Sequence, residues 1–347
     1  MKLKPNVTSA SCVQLFGVLP TGQEVKAYEI SNTKGMTLKV MEYGATIIAL
    51  KKTLKNGTVI DLVLGFDTLN DYVNSFLLPS APYFGATVGR YAGRIANATF
   101  DLNSNKIVLN KNNNGNALHG GLEGFSQKLW QLEQLKTENN PSVSFTYSSP
   151  NGEEHFPGEL KVTITYTLTE ENELKIEYKA VSSEDTVVNL THHSYFNLEG
   201  QNSNVLEQEL QINAAEILAT KDMIPTGELL PVVNTEFDFT IPRSCPKVID
   251  TTFVLDAKET LGATLFSKKN NLKMDVYTNQ PSLHVYAGGN CFNQIKGKDD
   301  AQYHQQSGIC FETQNFPDAP NHSHFPSAVL ERGEVYFHKT SYKFQTF

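Results

Sequence analysis

Two stretches of the chain carry side chains suited to moving protons near neutral pH. The first is Thr191-His192-His193-Ser194-Tyr195-Phe196-Asn197-Leu198, where adjacent histidines stand beside a hydroxyl and two aromatic rings. Histidine has the unperturbed pKa closest to neutrality, so it can give or take a proton at working pH. The second is Phe311-Glu312-Thr313-Gln314-Asn315-Phe316-Pro317-Asp318-Ala319, which sets a carboxylate among apolar neighbours far downstream. A histidine and a glutamate brought together across a sheet would form a general acid–base pair.

The elements that must position them read as strands. Val187-Val188-Asn189-Leu190 leads into the histidines. If the strand continues, His192 and His193 face opposite ways, and at most one looks into a given pocket. Leu160, Val162, Ile164, Tyr166 and Leu168 alternate with Lys161 and threonines, and Leu174 to Ala180 repeats the pattern after a polar turn. That is a hairpin with one buried face. Further short strand-like runs occur at 38–43, 206–212, 272–277 and 283–286, and 61–66 reads as a short buried strand, with turn signals such as Asn56-Gly57 between runs. No long amphipathic helix is evident. The pattern predicts an all-β fold, a sandwich or barrel, in one domain over residues 1–347.

Composition excludes several classes of function. The 347 residues, 39% hydrophobic, suffice for a large core. The net charge is −8 and no basic stripe appears, so no nucleic-acid partner is expected. Met1-Lys2-Leu3-Lys4-Pro5-Asn6 lacks a signal-peptide core, and no apolar run approaches the roughly 20 residues of a membrane helix. The expectation is a soluble, cytoplasmic protein with no membrane association. Cys12, Cys245, Cys291 and Cys310 are scattered and are expected as free thiols. The glycines of Gly85 to Ile95 recur at intervals of four, which is no dinucleotide fingerprint. His322-Ser323-His324 lies in a loop with Pro and Asn and is expected to be exposed, not a metal centre.

Taken in order, Gly85 to Ile95, Leu118-His119-Gly120-Gly121, Asn189 to Leu198, Ile224-Pro225-Thr226-Gly227-Glu228, Phe237-Asp238-Phe239 and Phe311 to Ala319 resemble the galactose mutarotase (aldose 1-epimerase) family. The resemblance spans nearly the whole chain. It implies a large antiparallel β-sandwich with an open sugar cleft, and an isomerase that interconverts the α and β anomers of free hexoses such as galactose and glucose. It implies Glu312 as catalytic base and His193 as catalytic acid, with His119, Arg94 and Asp250 holding the sugar. Such chemistry calls for no cofactor and no metal. Tyr195, Phe84 and Phe316 would supply an apolar wall.

The chain departs from the family pattern at four positions. His192 and Gly93 stand where asparagine is common, Thr251 where histidine is, and His284 where glutamine is. Alternative readings are a hexose-6-phosphate 1-epimerase, with Arg90 and Arg94 as candidate phosphate ligands, and a sugar-binding module without turnover. A glycoside hydrolase fits less well, because it needs a pair of carboxylates flanking the bond.

Overall fold

A computed structural model describes residues 12–255, 260–289 and 295–347. The stretch Met1–Asn6 and Cys291 lie outside the described residues. Cys12, Cys245 and Cys310 are free thiols.

Alternating side chains make the strands. Leu160–Leu168 pairs antiparallel with Glu173–Ser182, and Ile164 lies opposite Tyr178. Leu160, Val162, Ile164, Tyr166 and Leu168 are all buried, as are Leu174, Ile176 and Tyr178. Lys161 and Lys179 between them face solvent. Burying one such apolar side chain contributes about 1.5–3 kcal/mol relative to leaving it in water.

This hairpin belongs to a nine-stranded sheet. From edge to edge it runs Gln131–Lys136, Ser142–Ser149, Leu160–Leu168, Glu173–Ser182, Val335–Thr346, Leu272–Thr278, Thr260–Ser267, Glu209–Ile212 and Arg243–Ser244. A six-stranded sheet runs Tyr195–Phe196, Ile309–Gln314, Ser282–Ala287, Ile249–Val254, Glu216–Lys221 and Ile224–Pro231. A five-stranded meander carries Val13–Val18, Glu24–Ser31, Met36–Met41, Thr46–Thr53 and Val59–Asp61 in chain order. One hydrophobic core draws on all three sheets, with Leu38 and Leu50 from the meander, Ile164 from the nine-stranded sheet, and Phe253 and Phe311 from the six-stranded sheet. The architecture is the expected all-β sandwich.

Among the described residues the one α-helix is Leu69–Ser75, capped by Thr68, whose hydroxyl accepts the Asp71 N–H at 3.2 Å. No described helix is long and apolar enough to cross a membrane.

The strand Ile309–Gln314 is anchored on either side of Glu312. Phe311 sits in the core, and its carbonyl accepts the Tyr342 hydroxyl at 3.0 Å. The Thr313 hydroxyl lies 3.0 Å from His338 Nε2 on the nine-stranded sheet. Glu312, between them, must point to the opposite face.

Candidate active site

Glu312, Asp250, Thr252, His284, Tyr286 and Gln314 line a cleft of about 520 Å³ on the outer face of the six-stranded sheet. Period-two alternation along three neighbouring strands puts them there. The register sets His284 opposite both Glu312 and Thr252, and Asp250 opposite Tyr286.

His193 enters from the irregular segment between the strand Thr191–His192 and the strand Tyr195–Phe196. Its Nε2 lies 3.5 Å from Glu312 Oε1, and both side chains are almost wholly buried. Its Nδ1 lies 3.6 Å from Cys310 Sγ. The ring stacks on Tyr83, with centroids 5.7 Å apart at 30°, and meets His119 edge-on, also at 5.7 Å. Glu312 Oε2 is buried and has no hydrogen-bond partner. His192 points the other way, edge-on to Tyr166 of the nine-stranded sheet, with both ring nitrogens buried and unpartnered. Burial, reinforced by the neighbouring His193, pulls its pKa down to about 3, so it is neutral.

His119 sits in a left-handed turn, φ 52°, just before Gly120. Gly120 has φ 89°, and a Cβ there would collide with the Gly89 carbonyl, so the turn needs glycine. The Gly93 N–H donates to His119 Nδ1 at 3.2 Å. Burial, together with the positive charges of His193, Arg94 and His284, holds the His119 pKa well below the ordinary histidine value. The neutral ring therefore carries its proton on Nε2.

Arg94 lines the same cleft from the two-residue strand Arg94–Ile95, paired with Ala117–Leu118. Its Nε donates to Asn113 Oδ1 at 3.0 Å. Its carbonyl accepts the Asp318 N–H at 2.8 Å, while the Asp318 carboxylate accepts the Ala96 N–H at 2.9 Å. Asn189 accepts the Asn315 N–H at 2.7 Å and donates to the Ala92 carbonyl at 3.0 Å. These polar residues of the conspicuous sequence stretches are scaffold. They lock the arginine segment to the end of the glutamate strand.

Asp250 faces His284, with Oδ1 at 3.1 Å from Nε2, and Thr252 Oγ1 lies 2.9 Å from His284 Nδ1. Burial alone would raise the Asp250 pKa, but the His284 hydrogen bond and charge, with Arg94 and His193 behind them, hold it below the ordinary carboxylate value. For His284, burial is likewise outweighed, by the Asp250 hydrogen bond and charge and by the Glu312 charge, and its pKa is raised.

The structure thus brings Glu312, His193, His119, Arg94 and Asp250 to one cleft. It corrects other expectations. Phe84 and Tyr195 pack behind the cleft in a separate apolar cluster, with rings 5.0 Å apart, and Phe316 packs on Phe325. The aromatic lining is Phe76, Tyr83 and Tyr286 instead. Tyr83 sits in a left-handed turn, φ 52°, just before the buried Phe84. Arg90 is no phosphate ligand. It is buried, and its Nε donates to Ser149 Oγ at 2.8 Å. Its Nη1 donates to the Pro157 and Gly158 carbonyls at 3.0 and 2.8 Å, and its Nη2 to those of Ser149 and Pro150 at 3.0 and 2.8 Å. All the N–H donors of a guanidinium are thereby used. No sequence signal singles out Tyr83 as a site residue. Thr252, Tyr286 and Gln314 also escape the sequence reading, although each lies two residues beyond a flagged position, the spacing that shares a strand face.

His119, His193 and Glu312 bring possible metal-ligating atoms within 4.8 Å of one another. The His119 tautomer works against a metal there. Its Nδ1 lone pair is engaged by Gly93 and its Nε2 carries a proton, so the ring offers a donor rather than a ligand.

A buried histidine–glutamate pair on the floor of a polar cleft, carried by a large β-sandwich, is an arrangement able to move protons on a bound small molecule. The aldose 1-epimerase family pattern matches residues 26–343. Galactose mutarotase from Sus scrofa is 40% identical over 343 residues, covering 95% of this chain and 97% of that protein. Aldose 1-epimerase from Escherichia coli (strain K12) is 33% identical, covering 94% and 96%. The crystal structure of an aldose epimerase homologue from C. elegans superposes with a TM-score of 0.84 at 32% identity, over 92% of this chain and 98% of that one. The chain belongs to the aldose 1-epimerase family. It is an isomerase with aldose 1-epimerase activity.

Proposed function

We propose that the substrates are neutral hexoses such as galactose and glucose, with Glu312 as general base and His193 as general acid. The observation that carries this reading is the 3.5 Å approach of His193 Nε2 to Glu312 Oε1 on the cleft floor. Opening a cyclic hemiacetal requires proton transfers at two oxygens bonded to the same carbon. The base takes the proton of the C1 hydroxyl. The C1–O5 bond then breaks as the acid delivers a proton to O5. The open aldehyde turns about C1–C2 and recloses on its other face, with both transfers reversed. Two proton-transfer groups held this close can serve both oxygens.

Glu312 Oε2, buried and unpartnered, is an acceptor for the C1 hydroxyl. His119 donates from Nε2 to a sugar hydroxyl, Asp250 accepts from others, and Arg94 donates at the rim. Tyr83 and Tyr286 supply apolar surface for the sugar's C–H faces. The 6-phosphate reading is disfavoured because Arg90 is spent on backbone carbonyls, which leaves no paired arginines in the cleft.

Polarimetry of freshly dissolved α-galactose, with and without protein, tests the proposal. The rotation should relax to its equilibrium value faster with protein present. An unchanged relaxation rate on both galactose and glucose would remove these sugars as substrates.

A further inference from the structure

Two of the departures from the common family pattern, Gly93 and His284, line the cleft, and of the two only His284 carries a side chain that can ionise. The side chain is only partly exposed and lies between two carboxylates. Asp250 Oδ1 is 3.1 Å from its Nε2, and Glu312 is its partner across the strand pair. Thr252 Oγ1, 2.9 Å from Nδ1, fixes the ring from the other side. The other charged or titratable groups facing this pair are Arg94, His193 and His119, with Tyr286 opposite Asp250 across the strand pair, all cleft residues. Asp250 is about a third exposed, at 36%, and the partner seen for its carboxylate is His284, on Oδ1.

We propose that His284 is a positioning residue for substrate binding: it clamps one oxygen of Asp250 so that the other is presented to the sugar hydroxyls. The inference rests on the placement of the sugar in this cleft. A neutral amide at position 284 could orient Asp250 with one hydrogen bond. The imidazolium adds charge, which strengthens the hydrogen bond to a carboxylate and narrows its range of geometries. The cation persists above the ordinary histidine value, because Asp250 and then Glu312 favour it over the opposing effect of burial. As pH rises through that raised value the clamp weakens. Sugar affinity then falls, while the proton-transfer pair stays in place.

The test is mutarotation of galactose across about pH 6 to 9 for wild type, His284→Gln, His284→Leu and Asp250→Asn. His284→Leu should raise KM about tenfold, the scale of one hydrogen bond to a charged group, with kcat within about threefold. Wild-type KM should climb with pH, and His284→Gln should give a flat KM over the same range. Adding His284→Leu to Asp250→Asn should leave KM where Asp250→Asn alone puts it. Parallel KM–pH curves for wild type and His284→Gln would overturn the proposal, as would a fall in kcat at constant KM in His284→Leu. If His284→Leu does not fold, the curves of wild type and His284→Gln decide alone. If wild type leaves mutarotation unchanged, the acid–base reading fails instead. Calorimetric titration with galactose then reads the same pH contrast as affinity, and its absence ends this proposal too.

Discussion

His192 and His193 stand back to back in the chain, one ring against Tyr166 in the core and the other 3.5 Å from Glu312 in the cleft. Adjacent and identical, they occupy environments with nothing in common. His193→Asn should lower kcat by about 10²–10⁴-fold, the scale of one general acid. His192→Asn should leave kcat within a few-fold. Stopped-flow polarimetry on both variants measures the contrast, and equal losses would end the role assigned to His193.

Glu312→Gln keeps the size of the side chain but cannot accept the C1 hydroxyl proton. The loss should fall on kcat and kcat/KM equally, by about 10²–10⁴-fold, with KM nearly constant. Ground-state binding should survive, because the proposal gives His119, Arg94 and Asp250 the other hydroxyls. A variant with near-normal kcat would take Glu312 out of the mechanism.

Two buried histidines should make the fold acid-labile. Burial holds His192 and His338 at about 3, against an ordinary value of 6.5. With the folded pKa depressed, their stabilising contribution is complete above pH 6.5 and is lost as pH falls toward 3. Between about pH 7.5 and pH 5 each should cost the folded state roughly 2 kcal/mol. Urea midpoints at the two pH values should therefore differ less in His192→Asn than in wild type. An identical difference in both proteins would mean that His192 does not titrate on unfolding.

Substrate charge gives a separate check. kcat/KM should be higher for galactose and glucose than for glucose 6-phosphate, because Arg90 is committed to the carbonyls of residues 149, 150, 157 and 158. A preference for the phosphate ester would reverse the choice between the two readings.

The long strands are legible because burial writes a period of two into them. Leu160 to Leu168 is the clearest case, and the same period places Glu312 opposite to Phe311 and Thr313. Two-residue strands such as Arg94–Ile95 and Tyr195–Phe196 are too short to show any period. Arg90 and Arg94 cannot be told apart in a glycine-rich run. What separates them is a ring of carbonyls contributed from beyond residue 148, a long-range fact with no local trace. In the sequence His284 is visible only as a departure from a family pattern. Its meaning comes from the register that sets it between Thr252 and Glu312.

The strand Val335–Thr346 lies between Glu173–Ser182 and Leu272–Thr278, at the middle of the nine-stranded sheet. It is also the last of the described strands to leave the ribosome. Gln131–Lys136 through Glu173–Ser182 can zip up in sequence as they are made, but they cannot join Leu272–Thr278 until that late strand arrives. His338 and Tyr342, which brace the strand bearing Glu312, arrive with it. During biosynthesis, then, the strand bearing Glu312 lacks these two braces until Val335–Thr346 has been made. A nascent chain stalled short of this keystone would hold the lining residues of the cleft, Phe76 to Pro317, without the strand that joins the two halves of the sheet behind them.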